Sequence, residues 1–156
     1  MRCRLPLALG LCLLAAPARA DVFSFLDSGN AVRTGPHELS VAPDSDGIYY
    51  IFAEVNGARV RFVIDTGSDD VVLTRKDARR AGIDVSRLNF SEDYDAASGS
   101  GVEADARVQR LALGAFAVNN FPITVEEEGG ASLLGMSFLH RMKSVEIRDN
   151  RLYLRW

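Results

Sequence analysis

An all-β domain with one or two short helices is the fold class predicted for residues 47–156, and three observations carry it. Short runs rich in Val, Ile, Leu, Phe and Tyr recur through the segment, separated by Gly or Asn/Asp turn pairs. Only two stretches, 75–81 and 136–142, have the length and residue types of a helical turn or two. The chain's two cysteines, Cys3 and Cys12, both precede residue 21. With neither disulfide nor zinc–thiolate cross-link available beyond them, a buried apolar core must hold the domain.

The elements follow in order. Ile48 to Val55 is β-branched and aromatic, Asn56-Gly57 is a type I′ turn pair, and Ala58 to Ile64 returns as the partner strand. Val71-Val72-Leu73 predicts a short buried strand. Thr74 followed by Asp77 reads as a helix cap, with a helix over Arg75 to Ala81 stopped by Gly82. The cations Arg75, Lys76, Arg79 and Arg80 then form a solvated face. Ala96 to Gly101 is small and glycine-rich between strand-like flanks, the composition of a mobile hairpin tip. Leu111–Leu113, Ala115–Val118 and Phe121–Val125 read as strands broken at Gly114 and at Asn119-Asn120. Glu126 to Gly130 reads as a solvated charged loop, Met136 to Met142 as a short helix, and Val145 to Trp156 as a closing hairpin around Asp149-Asn150. Trp156 is expected to pack rather than to bind. Residues 21–46 are polar and carry Gly, Pro, Ser and Asp at intervals, so they read as a partly disordered leader with one short strand at Glu38–Val41.

The stretch with chemical content is Val63-Ile64-Asp65-Thr66-Gly67-Ser68-Asp69-Asp70. It sets a carboxylate at the end of an apolar strand, where losing water is tolerable only with compensating donors. The turn that follows supplies backbone N–H groups and the Thr66 and Ser68 hydroxyls. Some seventy residues on stands Leu133-Leu134-Gly135-Met136-Ser137-Phe138-Leu139, two apolar residues and a glycine leading into a helix. The two segments, in this order and at this spacing, resemble the two signatures of the retropepsin-like aspartic proteases, most closely the exported bacterial kind. The resemblance covers residues 47–156.

That resemblance implies a single-lobe acid-protease barrel, active as a symmetric homodimer, with no cofactor and no metal. Asp65 is then the catalytic carboxylate. Thr66, Gly67, Ser68, Leu134 and Gly135 support its loop, Thr66 by hydrogen bonding across the pair of loops and Gly67 by letting the substrate backbone approach. Asp69 and Asp70 match positions that line the substrate, and Ser98, Gly99, Ser100 and Gly101 lie in a flap over residues 95–104 that closes on it. The chain contains one such triplet and no internal repeat. Metal-free hydrolysis of a peptide bond needs a base and an acid, so two copies must pool their Asp65 side chains. The expected activity is therefore that of an aspartic endopeptidase acting on polypeptides. The alternatives are a non-catalytic peptide-binding or scaffolding module of the same fold, or a small monomeric β-barrel carrier. Two departures from the viral pattern matter. Ser68 stands where many viral members have alanine, and its hydroxyl is expected to donate to the carboxylate and favour acidic working conditions. Met136 stands where they place an arginine partner for the residue equivalent to Asp69.

The first twenty residues read as a secretory signal. Arg2 and Arg4 precede an apolar stretch over 5–16, and Ala18-Arg19-Ala20 is a small-x-small cleavage site. Twelve residues are too few for a permanent span, which takes about 20. Cleavage after Ala20 and export to the periplasm or medium are expected, with anchoring through residues 5–16 as the alternative and the only route to a membrane. The signal holds three of the 18 basic residues and none of the 21 acidic ones, so the remainder carries about −6. That balance argues against nucleic acid as a partner. His37 and His140 lack ligand spacing, which argues against a metal site.

Overall fold

The structure is a computed structural model that describes residues 31–96 and 99–156. The expected signal at 1–20, the first part of the expected leader and Ser98 lie outside the described residues. Eleven strands form two sheets among the described residues. In chain order these are β1 (Ala31–Gly35), β2 (Glu38–Val41), β3 (Tyr50–Val55), β4 (Ala58–Ile64), β5 (Val71–Thr74), β6 (Glu92–Ala96), β7 (Gly99–Leu113), β8 (Phe116–Glu126), β9 (Ser132–Leu134), β10 (Ser144–Arg148) and β11 (Arg151–Arg155). Two α-helices, α1 (Arg75–Arg80) and α2 (Met136–Leu139), and a 3₁₀ turn at Val85–Arg87 complete them.

The larger sheet has the order β3-β4-β9-β5-β8-β7-β6, and β3 also pairs with β7, so its first six strands close on themselves. Closure removes the sheet edges that would otherwise stand unpaired. Inside lie Ile51, Phe62, Leu73, Leu111, Phe121 and Leu134, each at most 1% exposed. Alternation drives this: along β3, Ile51, Ala53 and Val55 are buried while the residues between them are not. Asn56 (φ 50°) and Gly57 (φ 84°) take the two positive angles a type I′ turn needs, which sets β3 against β4 in register.

The smaller sheet has the order β1-β2-β11-β10 and joins the two ends of the described chain. The strand at Glu38–Val41 forms with the bounds read from the sequence. The polar segment before it is β1 rather than leader, and Leu39 and Val41 are fully buried in the common core. The folded unit therefore starts at least sixteen residues before residue 47. An edge strand needs only one apolar face, and β1 is too short and polar to betray that by pattern.

Two further expectations change. The break at Asn119-Asn120 is no break: β8 runs through it, taking up a positive φ of 51° at Asn120 while its register with β7 is kept on both sides. The second helix covers four residues, not seven; the chain then turns through 140–142. Phe138 of this helix is fully buried and meets Phe116 and Phe121 edge-on, with ring centroids 5.5 and 5.9 Å away. Burying such a ring contributes about 1.5–3 kcal/mol, which pins a helix too short to be stable alone. Trp156 packs against the same core, tilted on Phe116 and edge-on to His37.

Candidate active site

The 65–70 loop joins β4 to β5, yet those strands do not pair with each other. β9 lies between them, parallel to β4 and antiparallel to β5. Leu134 is thus the register partner of both Ile64 and Val71, the residues that bracket the loop. The Asp65 N–H donates to the Leu134 carbonyl at 3.2 Å. The loop is then held from below by the start of α2, where Met136 N–H donates to Ser68 O at 2.8 Å and Ser137 N–H to Asp69 O at 2.7 Å. Two distant sequence segments become one backbone unit.

Gly135 is the hinge of that unit. A Cβ placed on it would stand 2.0 Å from the Asp70 carbonyl oxygen and 2.6 Å from that of Ser68. No side chain fits there, because the obstacles are backbone atoms fixed by the bonds above. Its φ is ordinary for an extended residue (−88°), so space rather than conformation demands glycine.

Asp65 is half-buried at the loop's entry. The Gly67 N–H turns back to donate to its Oδ1 at 2.8 Å, an Asx-type turn that fixes the carboxylate's orientation. A Cβ on Gly67 would lie 3.2 Å from that same oxygen. Thr66, Asp69 and Asp70 are exposed on the loop. The Ser68 hydroxyl does not donate to the carboxylate as expected: it donates to the Asp70 backbone carbonyl at 2.9 Å, closing the loop on itself. Among the described residues Asp69 has no ion pair, in keeping with the methionine at 136.

The floor is braced on its far side by a polar network. The Thr74 hydroxyl caps α1 by accepting from Asp77 N–H at 3.2 Å. The Asp77 carboxylate does not return to the Thr74 N–H. Instead that N–H donates to Ser132 Oγ at 3.2 Å, and Ser132 Oγ donates to Asp77 Oδ2 at 2.9 Å. Ser132 is 1% exposed, so this network satisfies a buried hydroxyl while tying β9 to the helix.

β6 and the first residues of β7 form the predicted hairpin, paired from Glu92–Glu103 to Ala96–Gly99. Gly99 (φ 132°) and Ser100 are exposed near its end, and Gly101 is half-buried under the Tyr94 ring. A Cβ on Gly101 would stand 2.8–3.0 Å from atoms of that ring. Between the hairpin and residues 126–130 opens a cavity of about 750 Å³, lined by Tyr94, Gly101, Glu126 and Glu128 among others. The sequence reading missed this wall by treating 126–130 as a solvated loop. Burial pushes the Glu126 carboxyl up from its ordinary range, and the Glu103 charge adds to it. Glu103 is raised by burial first, against an opposing pull from Thr124, with the charges of Asp70, Glu92 and Asp105 adding. Burial and the charges of Glu126, Glu103 and Glu128 likewise raise the Tyr94 phenol.

Comparison with known proteins agrees with this layout. Residues 51–141 match the family described as "gag-polyprotein putative aspartyl protease". An uncharacterised protein of Rickettsia prowazekii is 33% identical over 119 residues, covering 76% of this chain and 52% of that protein. An uncharacterised protein from the cobV 5′ region of a Sinorhizobium species is 32% identical over 123 residues, covering 78% and 53%. The chain thus spans about half the length of the curated relatives it matches. Among solved structures, a retropepsin-like aspartic protease from Rickettsia conorii superposes with a TM-score of 0.69 at 33% identity, over 76% of this chain and 90% of that one. The EIAV protease, complexed with the inhibitor HBY-793, shares the fold at 17% identity, with a TM-score of 0.53 over 65% and 93%.

Proposed function

This chain belongs to the retropepsin-like aspartic protease family, and from that premise we propose that it is an aspartic endopeptidase whose active form is a homodimer. The observation that supports this most is the pairing of a single oriented carboxylate, Asp65, with a glycine-dependent floor that admits no substitute at Gly135. Such rigidity suits a group that must meet its twin to a fraction of an ångström. Two carboxyls brought together cannot both ionise, and the aspartic-protease pair is itself the standard illustration of that rule.

In the proposed reaction a water lies between Asp65 and the Asp65 of a second copy. The ionised carboxylate takes a proton from the water as it attacks the scissile carbonyl, and the protonated one hydrogen-bonds the oxygen on which charge develops. A tetrahedral diol results. Transfer of a proton to the leaving nitrogen then lets the C–N bond break, and the pair returns to sharing one proton. Thr66 contacts its counterpart across the pair, and the exposed Gly67 leaves room for an extended substrate backbone. The hairpin at 92–103 closes over that backbone, with main-chain hydrogen bonds giving affinity. Asp69, Asp70, Gly99, Ser100 and Gly101 line the cleft it forms. Removal of residues 1–20 after export to the periplasm is part of the same reading.

The test is cleavage of a peptide library by the full chain across a range of pH, with Asp65→Asn beside it. Asp65→Asn is expected to abolish cleavage and leave the sedimentation of the dimer unchanged; a cleaving Asp65→Asn protein removes Asp65 from the mechanism.

A further inference from the structure

Register partners in a sheet share a face. Val63, Leu133, Val72, Thr124 and Asp105 form one such row across β4, β9, β5, β8 and β7. None of them belongs to the core cluster, although Val72 and Thr124 are each 5% exposed. This is the outer face of the sheet, and Asp65 continues it two residues beyond Val63. Two residues along β8 from Thr124, a second row on this face sets Glu126 opposite Glu103, and Glu103 opposite Glu92. Like charges directly opposite one another destabilise a strand pair, and here two such pairs stand side by side. None of the three carboxylates has an ion pair among the described residues. The cations that flank them, Arg75 and Arg107, are bonded instead to Glu127 and to the Asn120 carbonyl. The Thr124 hydroxyl lies close enough to Glu103 to pull that carboxyl down, yet it is buried without a hydrogen-bond partner. Beside the row opens the cavity of about 750 Å³, with Tyr94, Gly101 and Glu126 of this same face on its wall.

We propose that this face selects peptide substrates carrying a lysine or arginine near the bond to be cut, with Glu103 and Glu126 neutralising the cation and the Tyr94 ring packing along its stem. A ring beside carboxylates suits such a side chain, whose apolar stem and charged head ask for both. The carboxylates are not grouped closely enough to hold a metal ion among the described residues, so the cation they fit is an organic one on a flexible arm. Its arrival relieves the repulsion along the row and fixes Glu103 as a carboxylate, an acceptor for the stranded Thr124 hydroxyl. Strands stand about 4.8 Å apart and rise about 3.4 Å per residue. The row thus lies within about 20 Å of Asp65 along the sheet, the span of about six extended residues. The basic residue accordingly stands within about six residues of the bond cut. This selectivity rests on the endopeptidase reading of Asp65 and adds the chemistry of the substrate to it.

The experiment scans one lysine through a peptide, six residues to either side of the cleaved bond, against norleucine, which keeps the stem and lacks the charge. The full chain is expected to cut the lysine peptide about tenfold better in kcat/KM at one position or more, mainly through KM. The preference is expected to shrink in Glu103→Gln and in Glu126→Gln, to vanish in the double variant, and to persist in the control Glu146→Gln on the terminal sheet. Glu126→Lys is expected to favour a glutamate peptide instead. Thermal melts verify that each variant folds. Binding is read separately, by fluorescence anisotropy of the labelled lysine and norleucine peptides on the Asp65→Asn chain. Equal cleavage and equal binding of the two peptides at every position, or a preference untouched in the double variant, overturns the proposal. Cleavage that depends on Asp65 but ignores the lysine sinks the selectivity alone. Lysine-selective binding that Glu103→Gln and Glu126→Gln abolish, in a chain that cuts no peptide, sinks the endopeptidase reading alone.

Discussion

The floor beneath the 65–70 loop and the hairpin of β6 and β7 are built in opposite ways. Backbone bonds at 2.7–3.2 Å fix the floor, and Gly135 leaves no space for slippage. The hairpin at 92–103 leans on softer contacts. A tyrosine ring lies over Gly101, one backbone bond runs from Glu127 N–H to Val102 O at 3.0 Å, and half-buried carboxyls face one another. The contrast separates two tasks. On the proposed function, a carboxylate that must be placed accurately sits on the part that cannot yield, and the part proposed to admit a polypeptide is held by interactions that open cheaply.

The largest expected effect tests the floor. Gly135→Ala puts a methyl group 2.0 Å from a backbone oxygen, so the loop or α2 must move. Overpacking of this kind costs about 1–3 kcal/mol, and more where backbone resists. Denaturant unfolding is expected to show that loss, together with loss of cleavage. Gly130→Ala meets nothing within 4 Å and serves as the neutral comparison. Equal stability of the two variants would mean that the floor yields as readily as the hairpin. Next in size is Asp77→Ala, which removes the carboxylate to which the buried Ser132 hydroxyl donates and leaves the Thr74 cap of α1 in place. Leaving a buried donor without its acceptor costs about 1–3 kcal/mol. A melt unchanged by Asp77→Ala would show that β9 is held by its strand pairing alone.

Legibility in the sequence follows the same division. The Asn56-Gly57 turn, the Thr74–Asp77 cap and the Asp65-Thr66-Gly67 and Leu134-Gly135 signatures are local demands, each written within a few residues. What stayed hidden depends on partners far along the chain. Ser132 completes the Thr74 cap from 55 or more residues away, and nothing in its neighbours announces that. β1 became visible only through β2, whose own partner β11 begins more than a hundred residues later. The Ser68 hydroxyl had two acceptors within reach, and only the path of the loop decided for Asp70. Glu126 reads as solvated until the hairpin is laid across it.

A smaller effect sharpens the hairpin's side of the contrast. Gly101→Ala crowds the far end of the Tyr94 ring, a side chain free to swing, whereas at Gly135 the obstacle is backbone. Stability is expected to change by no more than about 0.5 kcal/mol. If the hairpin closes over substrate as proposed, peptide-cleavage kinetics are expected to change more, KM and kcat together, because the ring must find another place against it. A stability loss as large as that of Gly135→Ala would erase the distinction between the two regions.

The smallest effect is electrostatic and has a sign that differs between the hairpin wall and the terminal sheet. Glu126 is raised by burial and by Glu103, so the folded state holds its proton more tightly than the unfolded chain does. Its contribution favours folding below the unfolded-state value and is lost as pH rises through the folded one. Glu126→Gln, which imitates the protonated form, is therefore expected to raise Tm at neutral pH and to leave it unchanged in acid. Glu38 lies in the terminal sheet, where hydrogen bonds from Thr34 and then Arg155 lower its carboxyl. That contribution is present above the unfolded-state value and disappears as pH falls through the folded one. Glu38→Gln should accordingly lower Tm at neutral pH, with the difference closing on acidification. Thermal melts of both variants across pH decide it: parallel curves would mean that the wall's carboxyls are paired after all, and opposed ones that the hairpin carries unneutralised charge where the terminal sheet does not.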